Sequence, residues 1–260
     1  MTKKNSKLKD LQNEKDKRKE SIQKVGIKNL KYPIKVLIND EITHNLVGNF
    51  SISVNLKHFE RGVHMSRFIE VLNENDLSIC YTSILSLMHN IKKKLDSENV
   101  FIKVSFIYFI KKTAPISKVD SYLSYHISYY SRLIEKNNLC KIKIKIPVIS
   151  CCPCSKNISK YGAHNQRSII SVELEINENL NINNLIKEIE LQASCDIFSL
   201  IKRKDEKYIT EKSYENAKFV EDIVRDISLL LKKKSIEKYK ILSENIESIH
   251  DHTAYAYIER

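Results

Sequence analysis

Glycine is almost missing from this sequence. Its 260 residues hold only 4, Gly26, Gly48, Gly62 and Gly162, too far apart to write G-x-G-x-x-G or a P-loop. A nucleotide bound here would have to be held without a glycine-rich phosphate cradle. Tryptophan is absent and prolines number 4. No stretch approaches the roughly 20 apolar residues of a membrane span. The N-terminus carries lysines but no apolar core segment, so a secretory signal is not expected. A cytoplasmic protein is the expectation, with its 6 cysteines reduced. Of these, Cys80, Cys140 and Cys195 are scattered and read as packing residues. Cys151, Cys152 and Cys154 are clustered, which points to metal binding or catalysis rather than a disulfide framework.

What the chain has in excess is positive charge, +12 net. Much of it lies in residues 1–24, where Lys3, Lys4, Lys7, Lys9, Lys15, Lys17, Arg18, Lys19 and Lys24 outnumber the acids. Such a segment reads either as a nucleic-acid arm or as a disordered, solvated tail. No aromatic residue interleaves with the lysines, which favours the tail. A basic body also suits a small polyanion such as a triphosphate.

Beyond residue 24 the apolar pattern alternates between two periods. Ile34, Val36 and Ile38, then Ile52, Val54 and Leu56, recur every second residue, as half-buried strands do. Ile84, Met88, Ile91 and Leu95 share one face of a helix over 77–97, with a shorter helix expected near 65–74. Strands are predicted over 101–110 and 123–129. The second half offers Ile142, Ile144, Ile146 and Val148 alternating with lysines, and Ile170, Val172, Leu174 and Ile176 as a partner strand. Helices are predicted over 183–193 and 216–234, then strands near 237–243 and 253–257. Strand–strand–helix–helix–strand–strand thus occurs twice, without visible sequence identity between the halves. The expected class is α+β, with antiparallel sheets and paired helices on one face.

Chemistry concentrates in Val148–Ser168. A strand ends at Ser150, a loop carries Cys152, Pro153, Cys154, Ser155 and Lys156, and His164 opens the next strand. Cys152 and His164 therefore sit at the same end of adjacent strands, where a thiolate and an imidazole can share one metal ion. The other reading is of buried strand-end cysteines and a turn histidine. C-P-C is too tight for a zinc knuckle and no second cysteine pair exists. An open site suits the residues better than a closed structural one.

The run Cys-Pro-Cys-Ser-Lys-Asn-Ile-Ser-Lys-Tyr-Gly-Ala-His-Asn-Gln-Arg-Ser, residues 152–168, closely resembles the signature of the GTP cyclohydrolase type IB family. Other segments agree in order: Arg61–Phe68 with its H-M-S-R-F, Lys202–Lys207, Thr210–Asn216, Lys218–Asp222, and Glu247–His250 with His252. The resemblance runs from about Val25 to Ala256. It implies the tunnelling fold, with tandem T-fold modules over 25–137 and 138–260 after a disordered basic tail, 1–24. It also implies a homotetramer with active sites near subunit interfaces.

The resemblance further implies a metal-dependent hydrolase acting on GTP. Cys152, His164 and Glu206 correspond to the metal ligands, and the mixed donor set admits zinc, manganese or iron. Cys152, Glu247 and His250 match catalytic positions. Glu221 matches the residue that anchors guanine, its carboxylate taking two parallel hydrogen bonds that adenine could not supply. A metal-activated water would attack C8 of guanine, His250 and Glu247 would move protons, and formate and 7,8-dihydroneopterin triphosphate would leave, the first step of tetrahydrofolate and pterin synthesis. Lys156, Arg167 and Arg67 are candidates for the triphosphate, and His64 and Ser66 for lining the site from a neighbouring subunit. Cys151 stands where the family usually has an apolar residue, and neither Cys154 nor the tail receives a role. Two other classes remain at this point: a tunnelling-fold nitrile reductase, and a zinc-stabilised nucleic-acid-binding protein.

Overall fold

The structure, a computed structural model, describes residues 10–38, 42–75 and 77–260. Two long strands open it, β1 (Ile22–Ile38) and β2 (Ile42–Leu56), followed by helices α1 (Ser66–Glu74) and α2 (Tyr81–Leu95) and strands β3 (Asn99–Thr113) and β4 (Asp120–Ile134). The second half runs β5 (Asn137–Cys151), α3 (Pro153–Ile158), β6 (Asn165–Ile176), α4 (Ile182–Glu190), β7 (Cys195–Asp196), α5 (Arg203–Glu215), α6 (Val220–Lys233), β8 (Tyr239–Ile246) and β9 (Thr253–Glu259). All named strands join one antiparallel sheet in the order β1-β2-β3-β4-β5-β6-β8-β9, with β7 paired to β5. The α+β class and the antiparallel sheet stand.

Register fixes which side chains share a face. Ile110 lies opposite Leu123, Phe106 opposite Ile127, Ile127 opposite Ile144, Ile144 opposite Val172, and Val172 opposite Ile241. These residues are buried and form one apolar cluster with Phe68, Leu72, Met88, Ile91, Ile186, Ile189, Ile223, Ile227 and Leu231 of the helices. Because strand side chains alternate, the helices cover one face and leave the other bare. The cluster runs without a break across the β4–β5 turn. Among the described residues no helix is long and apolar enough to cross a membrane.

Three expectations need revising. Residues 1–9 of the expected tail lie outside the described residues, but the remainder is placed in the fold. Asp16 N–H donates to Phe59 O at 3.0 Å, Gln12 Nε2 donates to Val63 O at 3.1 Å, and Glu14 pairs with Arg61. β1 already begins at Ile22. Its acids and amides, not its lysines, make those contacts. Second, the loop expected after Cys152 contains the short helix α3, with Pro153 at its first position, where a missing N–H costs nothing. Third, α5 is an additional helix, so the second half is not a strict copy of the first. β1 is also longer than its apolar alternation, because it is bulged between Ile27 and Leu30. At Gly26 a Cβ would collide with the Ile52 carbonyl, so the bulged strand lies against β2 only with glycine there.

Candidate active site

The site grows from the end of β5. Cys151 is its last residue, and Cys152 N-caps α3 with its sulfur 3.5 Å from Ser155 N. Ser155 Oγ donates to Cys152 O at 3.1 Å and accepts from His164 N–H at 3.2 Å. Cys152 N–H donates to His164 O at 3.1 Å. Cys152 and His164 are thus locked together through their backbones, with one serine bridging them. Both side chains are half-buried.

His164 is also oriented. Its Nδ1 lies 3.0 Å from Oε1 of the buried Gln166. An amide oxygen can only accept, so this contact favours the tautomer with its proton on Nδ1, the one that leaves Nε2 open to a ligand. Ser248 Oγ, on the β8–β9 turn that also carries Glu247 and His250, is 3.5 Å from the same Nδ1. The His250 ring stacks on His252, centroids 4.9 Å apart. Cys151 takes no part: its side chain is buried, and that burial pushes its thiol pKa up, which suppresses thiolate chemistry.

The start of α6 is pinned to the same place. Lys218 N–H donates to Cys151 O at 3.1 Å, Ser150 Oγ donates to Lys218 O at 3.2 Å, and Cys151 N–H donates to Ser194 Oγ at 3.1 Å. Asn216 Nδ2 reaches Ala193 O at 2.9 Å, and Lys218 Nζ bridges Gln192 O and Asp226 at 2.9 and 2.8 Å. Glu221, exposed in the first turn of α6, is therefore carried on the segment that abuts Cys151.

Not every expected residue gathers here. Lys156 Nζ donates to the carbonyls of Tyr214 and Glu215 at 2.6 and 3.3 Å and lies over the Tyr214 ring. Its charge serves the C-terminal end of α5. Glu206 is exposed in the first turn of that helix, about 12 Å of axis from Tyr214 at 1.5 Å per residue. Its neighbour Asp205 fixes that end, accepting from Ile116 N–H, Ser117 N–H and Lys202 N–H at 2.8, 2.7 and 2.8 Å. Among the described residues of the single chain, no three His, Cys, Asp or Glu side chains gather as a metal cluster. The thiol of Cys152 and the open Nε2 of His164 fit a divalent ion as two donors. Glu206 does not join them within the chain.

His64 and Arg67 lie at the other end of the sheet. They follow β2, whose last residues pair with the first residues of β3, whereas Cys152 follows the last residue of β5. β5 runs 15 residues, so the two ends stand about 46 Å apart at 3.3 Å per residue. His64 Nε2 faces Asp10 at 3.3 Å. Arg167, exposed on β6 opposite Ile149, has no carboxylate partner among the described residues.

Sequence reasoning missed Ser155, Gln166, Ser248 and the 216–218 clamp. The first had a visible signal: a serine three residues after a capping position is one half of a reciprocal cap. The others act through tertiary contacts.

Comparison with known proteins bears on the chain as a whole. Residues 8–256 match the family described as type I GTP cyclohydrolase folE2. The chain is 45% identical over 253 residues to GTP cyclohydrolase FolE2 of Azoarcus sp. (strain BH72), covering 96% of this chain and 94% of that protein. It is 43% identical over 254 residues to GTP cyclohydrolase FolE2 of Thermosipho africanus (strain TCF52B), covering 96% and 97%. Among solved structures, uricase from Arthrobacter globiformis superposes with a TM-score of 0.52 at 10% identity, over 92% of this chain and 93% of that one. That likeness speaks to the fold alone.

Proposed function

The chain belongs to the type I GTP cyclohydrolase FolE2 family, and from that premise we propose that it opens the guanine ring of GTP, releasing C8 as formate and yielding 7,8-dihydroneopterin triphosphate for the folate pathway. The observation that carries the reading is the locked pair, Cys152 beside His164 with Nδ1 held by Gln166.

Cys152 and His164 would hold a divalent ion, zinc, manganese or iron, and Glu206, which stands apart from them within the single chain, would have to close on it as the third donor. Such an ion supplies Lewis acidity and lowers the pKa of water at the reacting carbon. The remaining work belongs to the protein. Glu221 accepts two parallel hydrogen bonds from guanine N1–H and the exocyclic amine, and an adenine ring would leave the carboxylate unmatched. His250, two residues beyond the Ser248 that reaches His164, passes protons to the imidazole nitrogen of guanine as the C8 bond opens, and Glu247 fixes the charge of that histidine. Arg167 takes the triphosphate.

The wide separation of His64 and Arg67 from Cys152 in one chain supports an assembly of copies. In it, tandem T-fold modules, 25–137 and 138–260, form a homotetramer, and one subunit's His64 and Arg67 complete another's site. Lys156 then holds α5 in place and contacts phosphate only indirectly.

The test combines turnover with metal content. Protein loaded in turn with zinc, manganese and ferrous iron is incubated with GTP, and formate and pterin fluorescence are followed. Cys152→Ala should lose bound metal and product together. Glu221→Ala should keep its metal and lose kcat/KM for GTP by on the order of 10³ or more. Absence of product with every metal would remove the assignment.

A further inference from the structure

The face of the sheet that the helices leave bare carries an unusual charge pattern. On β5 its outward residues are Lys141, Lys143 and Lys145. Lys141 finds Glu173 at 3.3 Å. Lys143 and Lys145 have no carboxylate partner among the described residues. Register places Ser128 and His126 beside them on β4, and Ser105 opposite Ser128 on β3. Lys103, next along β3, extends over the Tyr130 ring at 5.1 Å. Lys103, Ser105, His126, Ser128, Lys143 and Lys145 line an open cavity of about 640 Å³ whose walls include no acid.

Like charges two residues apart on one strand stand about 7 Å from each other, inside the screening length of physiological salt. Glu173, opposite Lys143 in the β5–β6 register, pairs with Lys141 instead, so no carboxylate lines the cavity. The floor between the lysines carries the Ser105 and Ser128 hydroxyls, small donors that leave room above them, with His126 beside Lys145 and the Tyr130 ring under Lys103. Lys103 lies two strands from β5, in the row of Tyr130 and Lys141, so the three lysines define a triangle with sides of about 7, 12 and 16 Å at the Cα positions. One orthophosphate is too small to meet all three, whereas a chain of linked phosphates meets them in turn. Lys145 also stands seven residues before Cys152, about 23 Å along the strand, beyond the reach of a triphosphate whose guanine lies at Cys152.

We propose that Lys103, Lys143 and Lys145, with the hydroxyls of Ser105 and Ser128, form a second anion site that takes an oligophosphate and is separate from the Cys152–His164 centre. It does not depend on the cyclohydrolase reading.

Inorganic tripolyphosphate is the probe, measured by equilibrium dialysis against the full metal-loaded protein at physiological salt, with metal content assayed before and after. Saturable binding is expected. Lys143→Gln with Lys145→Gln should weaken it by more than about tenfold, as two lost charge-assisted contacts imply. Lys143→Arg with Lys145→Arg, which keeps the charge, should retain it. Lys232→Gln with Lys233→Gln removes the same charge from the end of α6 and should leave binding intact, and the KM for GTP should not move in any of these variants. ATP binding lost in the same variants would show that nucleotides are a source of the oligophosphate, while tripolyphosphate alone would point to the free anion. Equal loss in the α6 variant, unaltered binding after removal of both β5 lysines, a rise in the KM for GTP parallel to the loss, or binding of an RNA oligomer in place of tripolyphosphate would each overturn the proposal.

Discussion

Gln166 has no chemistry of its own, yet it decides what His164 can do. Its Oε1 sits 3.0 Å from Nδ1, and without that acceptor the imidazole is free to rotate or to present the wrong nitrogen. Partners that orient a ligating histidine are typically worth 10- to 100-fold in metal affinity. Gln166→Leu is therefore expected to fold, to bind manganese or zinc about 10- to 100-fold more weakly by competition with a chromophoric chelator, and to regain activity at high metal. Unaltered affinity would show that the ring is held by packing alone. At this scale the sequence was informative where partners are neighbours along a hairpin. Cys152 and His164 could be read because the end of one strand and the start of the next must meet. Lys156 could not, since nothing in its surroundings in sequence says that its ammonium will cap a helix that begins at Arg203.

The elements show the same divide. Helix α6 announced itself through Val220, Ile223, Val224, Ile227 and Leu231, all buried. Helix α5 did not, because its buried residues are Asp205 and Ser213, and an apolar period has no polar counterpart. It is held by hydrogen bonds. Asp205 takes three backbone N–H groups, two of them from the β3–β4 turn. Burial opposes its ionisation, but the bonds from Ser117, Lys202 and Ile116 outweigh it and hold the carboxyl well below its ordinary value. A depressed carboxyl stabilises the fold at pH above its unfolded value, about 3.9, and that contribution disappears as pH falls through the folded value. Asp205→Asn should therefore melt earlier than the parent protein, with a gap that is constant at neutral pH and narrows below about pH 4. Melting curves across pH decide it. A gap that widens in acid would contradict the assignment. The long strands were legible in their centres and not at their ends, since β1 is bulged and β2 and β3 continue past their apolar alternation.

For the whole molecule the governing fact is continuity. The halves were read from sequence as two similar units, and the element order supports that parallel. The sheet, however, passes through β4 and β5 along an unbroken antiparallel register from His126–Lys145 to Ile134–Asn137, and a buried ionic network crosses the same line. Lys112 of β3 lies 3.0 Å from Glu190 of α4 and 2.9 Å from Asp196 of β7, Tyr125 of β4 donates to Glu190 at 2.7 Å, and Lys212 of α5 reaches Asp196 at 3.2 Å. Removing one partner from such a buried set costs about 3–5 kcal/mol, a large share of a typical domain's stability.

A chain severed between Glu135 and Lys136 would leave each piece with a bare strand edge, the first with Lys112 and no acid to meet it, the second with Glu190 and no cation. Neither piece should melt cooperatively by itself. Produced together in one cell they should find each other and restore the parent circular-dichroism spectrum. Each half is thus expected to need the other, and this protein can be cut there and reconstituted but not divided.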